Sequence, residues 1–404
     1  MPELDTEVLV IGGGIVGNAL AGLLGSSGIA CTIIEAAEET DSDKHRQADP
    51  RALAMTVASR RILQSFDLWR QIPADRLGHF RQMHVWDEAG NGSIDFDSAD
   101  ICQSTIGYII EQTILQAALD AVLRYMPSVT IHRGATVKAL YWHDDAMTVE
   151  LDGQTKLRAR LVVAADGVHS PARALAGIEY KVHDYQQQAV ACVVKTALPH
   201  AQIARQRFLM DGPLAFLPMA ETHQCGVIWS TTPEYANKLL SMQPDDFNYV
   251  LQSAFEYSLG EVQASGPRTS FALKRAQAQR YCRDRFVLIG DAAHSIHPMA
   301  GQGANMGLLD AASLAQVLLE ARLKNKDIGS MRVLRRYERW RKGENMAMMM
   351  VVEGLKHLFE NQTGPLPLLR SAGMGFINSK STLKHWIMRR AMGLTGDLPE
   401  IARP

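Results

Sequence analysis

Four residues near the start of the chain have the types and spacing of a dinucleotide-binding turn. Gly12, Gly14 and Gly17 form a GxGxxG pattern directly after the apolar run 6–11, and Glu35 ends the next apolar run. The first glycine allows a tight turn, the second lets a pyrophosphate approach the backbone, and the third lets a helix pack closely on its strand. The start of that helix favours phosphate, and a carboxylate at the position of Glu35 accepts hydrogen bonds from ribose hydroxyls. The pattern predicts a dinucleotide cofactor but does not distinguish FAD from NAD.

A second block of residues favours a flavin. The predicted strand 285–289 is followed by the Gly-Asp pair that ends at Asp291, and an acid at such a strand end can bind the hydroxyl groups of a flavin ribityl chain. The segment 298–303 then supplies backbone N–H groups at the start of a helix, where they would stabilise negative charge on the reduced flavin ring. A third block, 162–173, again ends an apolar run with an acid–glycine turn, at Asp166.

These blocks give the chain a family resemblance. In their order they resemble the aromatic-hydroxylase class of flavoprotein monooxygenases, over nearly the whole chain. The segments 290–307, 335–339 and 390–394 are similar to the bacterial ubiquinone-biosynthesis hydroxylases. Within that family, the segments 215–218 and 227–230 look closest to the 2-polyprenylphenol 5-hydroxylase.

The resemblance implies a reaction. Non-covalently bound FAD would be reduced by NADH or NADPH and would trap O2 as a C4a-hydroperoxide. The distal oxygen would pass to the ring of a lipophilic polyprenylphenol, at C5, in ubiquinone biosynthesis. Because no second GxGxxG follows another strand–helix pair, the nicotinamide is expected to bind transiently.

Several alternatives stay open at this point. The chain could hydroxylate another ring position, act on small soluble phenols, or be a flavin-binding scaffold without catalysis. A flavin halogenase or a reductase of isoprenoid double bonds is a further alternative, although the Trp-x-Trp-x-Ile-Pro signature of the halogenases is absent.

The predicted site residues follow from the motifs and from the resemblance. The predicted cofactor-binding residues are Gly12, Gly14, Gly17, Glu35, Asp166, Asp291, Gly303 and Asn305, to which the resemblance adds Arg51 and Gln112. The groups predicted nearest to the reaction are Pro298, Gly301, Gln302 and Gly303. The wall of the substrate site is predicted at Phe216, Pro218 and Trp229, with core packing of the aromatic rings as the alternative.

Two histidines and a methionine run are predicted to be structural. His294 and His297 are three residues apart, but no third ligand is evident and Pro298 follows at once, so we expect no metal site. The methionines of the run 346–350 are predicted to pack in a core rather than to bind a ligand.

The elements that must position these residues indicate an α/β fold. We predict a Rossmann-like FAD-binding domain of the aromatic-hydroxylase type, an interleaved mixed β-sheet substrate domain as an α+β insertion, and C-terminal helices. The predicted FAD-binding segments are 1–75, 106–180 and 281–330. The predicted substrate-domain segments are 76–105 and 181–280, and a helical region follows at 331–404.

Composition excludes some classes of partner. The net charge of −1 gives no basic excess for nucleic-acid binding, and five scattered cysteines without a CxxC pair indicate reduced thiols. The polar start of the chain is unlike a signal peptide, and no apolar run is long enough to span a bilayer. We therefore expect a cytoplasmic protein, peripheral to the inner membrane if it meets one, and a homo-oligomer stays open.

One segment indicates how a membrane could be contacted. Arg332, Arg335, Arg336 and Arg339 share one face of a predicted helix, and apolar residues line another face and continue beyond it. Such a stripe is typical of an interfacial helix, of a face that docks on other quinone-pathway proteins, or of a solvated surface.

Overall fold

The computed structural model describes residues 4–38, 51–90, 92–297, 301–360 and 366–404. These residues form two large β-sheets, one small sheet and ten α-helices. Within this described part of the chain, no helix combines the length and hydropathy that crossing a bilayer requires.

The first sheet is mainly parallel and carries the glycine turn. At its centre, β1 (Thr6–Ile11) pairs in parallel with β2 (Cys31–Glu35) and β11 (Lys156–Ala164). The other strands are β8 (Val129–Arg133), β9 (Val137–Trp142), β10 (Met147–Leu151), β18 (Cys282–Arg283) and β19 (Phe286–Leu288). The path is β18-β19-β11-β1-β2-β8, with β10 antiparallel to β11 and β9 antiparallel to β10. Because a parallel sheet is covered on both faces, β1 is a continuous apolar run and residues 8–10 are fully buried.

The second sheet is mixed and lies between two helical layers. Its strands are β5 (Gln82–Asp87), β6 (Ser93–Asp97), β12 (Tyr180–Thr196), β13 (Ile203–Leu209), β14 (Gly212–Pro218), β15 (Gln224–Thr231), β16 (Val262–Ser265), β17 (Thr269–Ala278) and β20 (His294–Ser295). The path is β20-β17-β12-β15-β14-β13-β5-β6, with β16 on β12, and only β13–β5 is parallel. A small antiparallel sheet joins the two domains through β3 (Ala52–Thr56), β7 (Gly107–Glu111) and β4 (Leu77–Phe80).

The helices cover both sheets. The first seven are α1 (Ile15–Ser26), α2 (Val57–Gln64), α3 (Gln112–Arg124), α4 (Pro171–Leu175), α5 (Pro233–Ser241), α6 (Pro244–Ala254) and α7 (Gly303–Leu323). The last three are α8 (Met331–Glu360), α9 (Leu366–Ser379) and α10 (Ser381–Ala391). The predicted α/β class, with a mixed sheet interleaved into a Rossmann-like domain, is confirmed.

Residues 392–402 form a strap that returns to the first domain. The carbonyl of Met392 accepts from the Ala58 N–H at 3.4 Å, and the carbonyl of Ala402 accepts from Arg61 Nη1 at 3.3 Å. The Glu400 N–H donates to Gln316 Oε1 at 2.9 Å, and Ala402 is fully buried. The strap therefore ties α2 to α7, the two helices that flank the segment 301–305.

Candidate active site

The glycine turn has the geometry that phosphate binding requires. Gly12 has a φ of +107°, and a Cβ there would lie 2.4 Å from the carbonyl oxygen of Ala165. A Cβ at Gly17 would lie 2.0 Å from the carbonyl oxygen of Gly12, so both positions require glycine. Gly14 caps α1 with open space around it, and the first turn of α1 has neither an acidic residue nor a side-chain cap. The first N–H groups of α1 are thus presented to an anion.

The carboxylate of Glu35 lies against this turn. Its Oε2 accepts from the Gly13 N–H at 2.7 Å and its Oε1 accepts from the Ala37 N–H at 2.8 Å. Each oxygen keeps a second lone pair that a ribose hydroxyl could use.

The edge of the small sheet brings Arg51 and Gln112 together. The Gln112 N–H donates to the Arg51 carbonyl at 3.0 Å, because β3 and β7 pair from Ala52 opposite Glu111. One turn further along α3, Gln116 donates from Nε2 to the carbonyl of Gly13 at 2.9 Å. Sequence reasoning missed Gln116, although its spacing of four from Gln112 places the two on one helix face.

Asp291 lies in the turn after β19, beside the start of α1. It follows Gly290, whose φ is +59° and whose Cβ position is 3.2 Å from Val16. Asp291 is exposed to solvent, yet desolvation by the surrounding protein raises its pKa, an effect that His294 opposes and Asp310 reinforces. A solvent-accessible carboxylate in dense surroundings is suited to bind the hydroxyl groups of a ligand.

The side chain of Asp166 is already used by the protein. Its oxygens accept from Ser170 Oγ at 2.5 Å and from the Ala172 N–H at 3.0 Å, at the start of α4, and burial raises its pKa. From the same helix, Arg173 donates to the carbonyl of Ala292 at 2.9 Å. The acid–glycine block thus supports the turn at Asp291 through Arg173, a residue that sequence reasoning did not single out.

The segment that precedes α7 is anchored to β3. Gly301 has a φ of +58°, Gln302 caps α7 and Gly303 is its first residue. Asn305 is buried, and its side chain joins two segments: Oδ1 accepts from the Thr56 N–H at 2.9 Å and Nδ2 donates to the Gly301 carbonyl at 2.9 Å. Its role in this structure is to hold the segment in place. Pro298 lies outside the described residues.

The three residues predicted as a substrate wall pack on the side of α5 and α6, which fits the core-packing alternative, and a contact with substrate stays a prediction. Phe216 stacks on Phe255 of the α6 end with ring centroids 3.9 Å apart, and Trp229 meets Tyr235 of α5 edge-on. Pro218 pairs with Cys225, which belongs to the same buried cluster. Successive strand residues alternate between faces, and these positions point to the helices α5 and α6.

The opposite face of the second sheet lies toward the cofactor segments. A Cβ at Gly226 would lie 2.6 Å from the Cβ of Ala52, which directly follows Arg51. Ala215 and Ile228 pair with each other on this face. Further along this face, apolar side chains of β5 and β6 pack with Ile296, five residues after Asp291, and with α8. The members of this cluster are Met83, Ile94, Phe96, Ile296, Met348 and Val352. We call this surface, from Met83 to Ile228, the inner face.

Both histidines of the motif are buried, as their predicted structural role requires. His297 Nε2 lies 3.3 Å from Gln187 Oε1, and its ring meets Tyr185 edge-on at 5.2 Å. Desolvation lowers the pKa of His297 to about 4, with Lys356 acting in the same direction and Glu353 against it. Among the described residues, no group of three His, Cys, Asp or Glu could hold a metal ion.

Comparison with known proteins agrees with this geometry. Residues 5–351 match the family model described as an FAD binding domain. The chain is 34% identical, over 98% of its length and 100% of the relative's, to the 3-demethoxyubiquinol 3-hydroxylase of Escherichia coli strain K12. It is 35% identical to the ubiquinone hydroxylase UbiL of Rhodospirillum rubrum, covering 98% of this chain and 92% of that protein. It is 32% identical to the human ubiquinone biosynthesis monooxygenase COQ6, covering 95% and 91%.

Solved structures share the fold at lower identity. The p-nitrophenol 4-monooxygenase PnpA of Pseudomonas putida superposes with a TM-score of 0.78 at 20% identity, over 96% of this chain and 98% of that one. The probable FAD-dependent monooxygenase pqsL of Pseudomonas aeruginosa gives a TM-score of 0.76 at 22% identity, over 92% and 99%.

Proposed function

Because this chain belongs to the ubiquinone-biosynthesis hydroxylases, within the aromatic-hydroxylase class of FAD-dependent monooxygenases, we propose that it hydroxylates the ring of a polyprenylated phenol. The electron donor in this proposal is NADH or NADPH, the oxidant is O2, and the ring position is C5.

The observation that carries the proposal is the apolar inner face. It approaches Ala52, next to Arg51, at Gly226. Along it, Ala215, Ile228 and Phe96 are only partly buried, as is Met348 of α8, which packs on the same cluster. Each CH2 group moved from water into such surroundings contributes about 0.8 kcal/mol. A surface of this kind supports a lipophilic phenol better than a small polar one.

The residues of the chain would bind and position, while bound FAD would supply the reaction with O2. The N–H groups at the start of α1 would hold the pyrophosphate, and the carboxylates of Glu35 and Asp291 would accept from ribose and ribityl hydroxyls. The amides of Gly301 and Gly303, at the positive end of α7, would stabilise negative charge on the ring. The inner face would exclude water from the reacting atoms.

The ring position is the finer part of the proposal. C5 rests on the likeness of the segments 215–218 and 227–230 to the 5-hydroxylase. The name of the E. coli relative, a 3-hydroxylase, favours another position as the second candidate. The test is to incubate the FAD-loaded chain with NADPH, O2 and a 2-prenylphenol and to determine the product by NMR, using Asp291→Ala as the control with weakened FAD binding.

The outcomes of this test separate the candidates. Oxygen at C5 supports the proposal, and oxygen at another carbon overturns the ring position alone. Equal turnover of 2-methylphenol and 2-prenylphenol would indicate a hydroxylase of small phenols. Stable FAD binding without product from any phenol would indicate a scaffold.

We further propose that α8 contacts an anionic membrane surface. Arg332, Arg335 and Arg339 are exposed, whereas Arg336 pairs with Glu320 at 2.7 Å. Of the apolar residues predicted beside the arginines, Val333 and Tyr337 are buried in the first domain and Trp340 is partly buried. Exposed apolar residues occur later in the same helix, at Met346, Met350, Val351, Leu355 and Leu358. Of the methionine run, only Met349 is buried.

A further inference from the structure

A buried carboxylate behind the cofactor turn joins three elements of the fold. Asp310, on α7, has no exposed surface and accepts four hydrogen bonds. Its Oδ2 accepts from the Gly290 N–H at 3.1 Å and from His294 Nε2 at 2.5 Å. Its Oδ1 accepts from Arg341 Nε at 2.8 Å and from Asn345 Nδ2 at 3.1 Å, both on α8.

The surroundings of this carboxylate favour its charged form. Desolvation alone would raise the pKa of Asp310, but the charges and hydrogen bonds of His294 and Arg341 reverse that effect and lower it to about 2. A carboxylate that accepts charge-assisted bonds from two sides is held in one orientation. The group that it holds on the cofactor side is the backbone amide of Gly290.

The turn at Gly290 is also confined sterically. Its Cβ position lies 3.2 Å from Val16, the second residue of α1. A Cβ at Gly307 of α7 would lie 2.5 Å from the same valine and 3.4 Å from the Cα of Gly290. The turn is therefore held between the start of α1, which presents N–H groups to a pyrophosphate, and α7, which carries Asp310.

We propose that Asp310 is a positioning residue for FAD. By holding the Gly290 amide it fixes Asp291 relative to the start of α1, and these are two parts of the site that one cofactor molecule must contact together. Arg341 and Asn345 hold Asp310 in turn, so α8 takes part in cofactor binding without touching the cofactor. The proposal rests on FAD binding alone, so it stands or falls independently of which ring is hydroxylated.

The Asp310→Asn variant tests this with little change in volume. An amide has only one oxygen, and the cationic Arg341 is expected to take it. The NH2 group would then face the Gly290 N–H, two donors would oppose each other, and the turn would shift. Because the shift moves Asp291, the dissociation constant of FAD should rise by about tenfold or more.

A second buried ion pair provides a matched control. Arg370 and Asp87 are 0% and 2% exposed and lie 2.7 Å apart, where β5 meets α9. The Asp87→Asn variant makes the same chemical change and leaves a buried arginine without its anion. Among the described residues, the side chain of Asp87 bonds to Arg370 at the end of β5, away from Gly290 and Asp291, so the variant reports the effect of lost stability.

The experiment compares the wild type, Asp310→Asn and Asp87→Asn in three measurements. These are the Tm of the apoprotein, the dissociation constant of FAD by quenching of flavin fluorescence, and the midpoint potential of the bound flavin. We expect both variants to lower Tm, but only Asp310→Asn to weaken FAD binding by about tenfold and to change the potential.

Two results would overturn the proposal. One is an FAD affinity of Asp310→Asn within about twofold of the wild type, and the other is an equal loss of affinity in Asp87→Asn. If Asp310→Asn does not fold, His294→Gln and His294→Ala replace it. The glutamine can still donate to Asp310, so it should retain the affinity that the alanine loses, and equal affinities of these two variants would contradict the role assigned to the network.

Discussion

At the scale of single residues, two carboxylates of the site differ in what they do before a ligand arrives. Both oxygens of Glu35 accept hydrogen bonds from backbone amides, whereas Asp291 is exposed to solvent. Glu35 therefore shapes the glycine turn, in addition to its predicted role as an acceptor for ribose hydroxyls. A substitution of Asp291 therefore measures the contribution to cofactor binding with less change to the protein than a substitution of Glu35.

Asp291→Ala should weaken FAD binding by about 1.5–3 kcal/mol, the contribution of hydrogen bonds to a charged group. Glu35→Ala should weaken it at least as much and should lower Tm as well, because Gly13 and Ala37 lose their acceptor. Isothermal titration with FAD measures both effects. Asp246→Ala, an exposed acid at the start of α6, is the control. Unchanged affinity in both site variants would contradict the cofactor assignment.

His297 predicts a pH dependence of stability. The unfolded chain binds a proton at this residue below about pH 6.5, whereas the folded chain does so only below about pH 4. Unfolding takes up a proton between these values, so acidification across this range lowers the free energy of unfolding, and no further loss from His297 follows below pH 4. The expected loss is roughly 2–4 kcal/mol.

His297→Gln should remove this part of the pH dependence, because glutamine does not titrate and can still bind Gln187. Urea unfolding of the wild type and the variant at pH 7, 6, 5 and 4 measures it. As the pH falls from 7 to 4, the free energy of unfolding of the wild type should decrease relative to that of the variant. Parallel curves would show that the folded-state pKa of His297 is not lowered.

At the scale of elements, the sequence predicts strands better than the faces of strands. The runs around β14 and β15 were recognisable as strands, and their two-residue period was visible. The period cannot say which of two faces meets the cofactor domain, since both faces of this sheet are covered. The aromatic residues Phe216 and Trp229 lie on the face covered by α5 and α6, whereas the small residues Ala215 and Gly226 lie on the inner face.

Substitutions on the two faces should therefore act differently. Ala215→Phe places a ring on the inner face and should weaken binding of a 2-prenylphenol by about tenfold, since overpacking costs about 1–3 kcal/mol. Phe216→Leu should lower Tm and leave phenol binding unchanged, because its stacking on Phe255 is on the other face. Perturbation of the flavin absorbance by added phenol measures binding. If Phe216→Leu weakened phenol binding and Ala215→Phe did not, the substrate would have to bind on the side of α5 and α6.

The sequence did not predict Gln116 and Arg173, which hold the turns of the candidate site, and the reason is physical. Motifs revealed the glycine turn and Asp291, whose residues are consecutive or regularly spaced. Gln116 and Arg173 reach Gly13 and Ala292 through side chains that join segments 103 and 119 residues apart. No local pattern records such contacts, because they depend on how the elements assemble.

At the scale of the whole molecule, α8 connects the surface with the interior. It is 30 residues long, or about 45 Å at 1.5 Å per residue. Its exposed arginines occupy the first half and its exposed apolar residues the second, while Arg341 and Asn345 reach the buried Asp310. Basic and apolar groups along one helix are what an anionic lipid surface binds.

Replacing Arg332, Arg335 and Arg339 by glutamate should reduce flotation with anionic liposomes, since each basic residue contributes about 1 kcal/mol near such a surface. Arg336 is kept because of its bond to Glu320. The control carries the same charge change at the exposed Lys181, Lys195 and Lys238, near the second sheet. Equal flotation of the two variants, or no flotation of the wild type at low salt, would contradict membrane docking by α8.

The order of the strands in the first sheet has a consequence for synthesis on the ribosome. The glycine turn and β1 emerge early, but β1 needs β11 as its second neighbour, and the turn at Asp291 and the segment 301–305 are translated later still. Until then the nascent chain exposes an apolar strand edge, the kind of surface that chaperones protect. Translation must therefore pass residue 305 before the chain can capture FAD in a complete site, so the cofactor cannot template the folding of the first half.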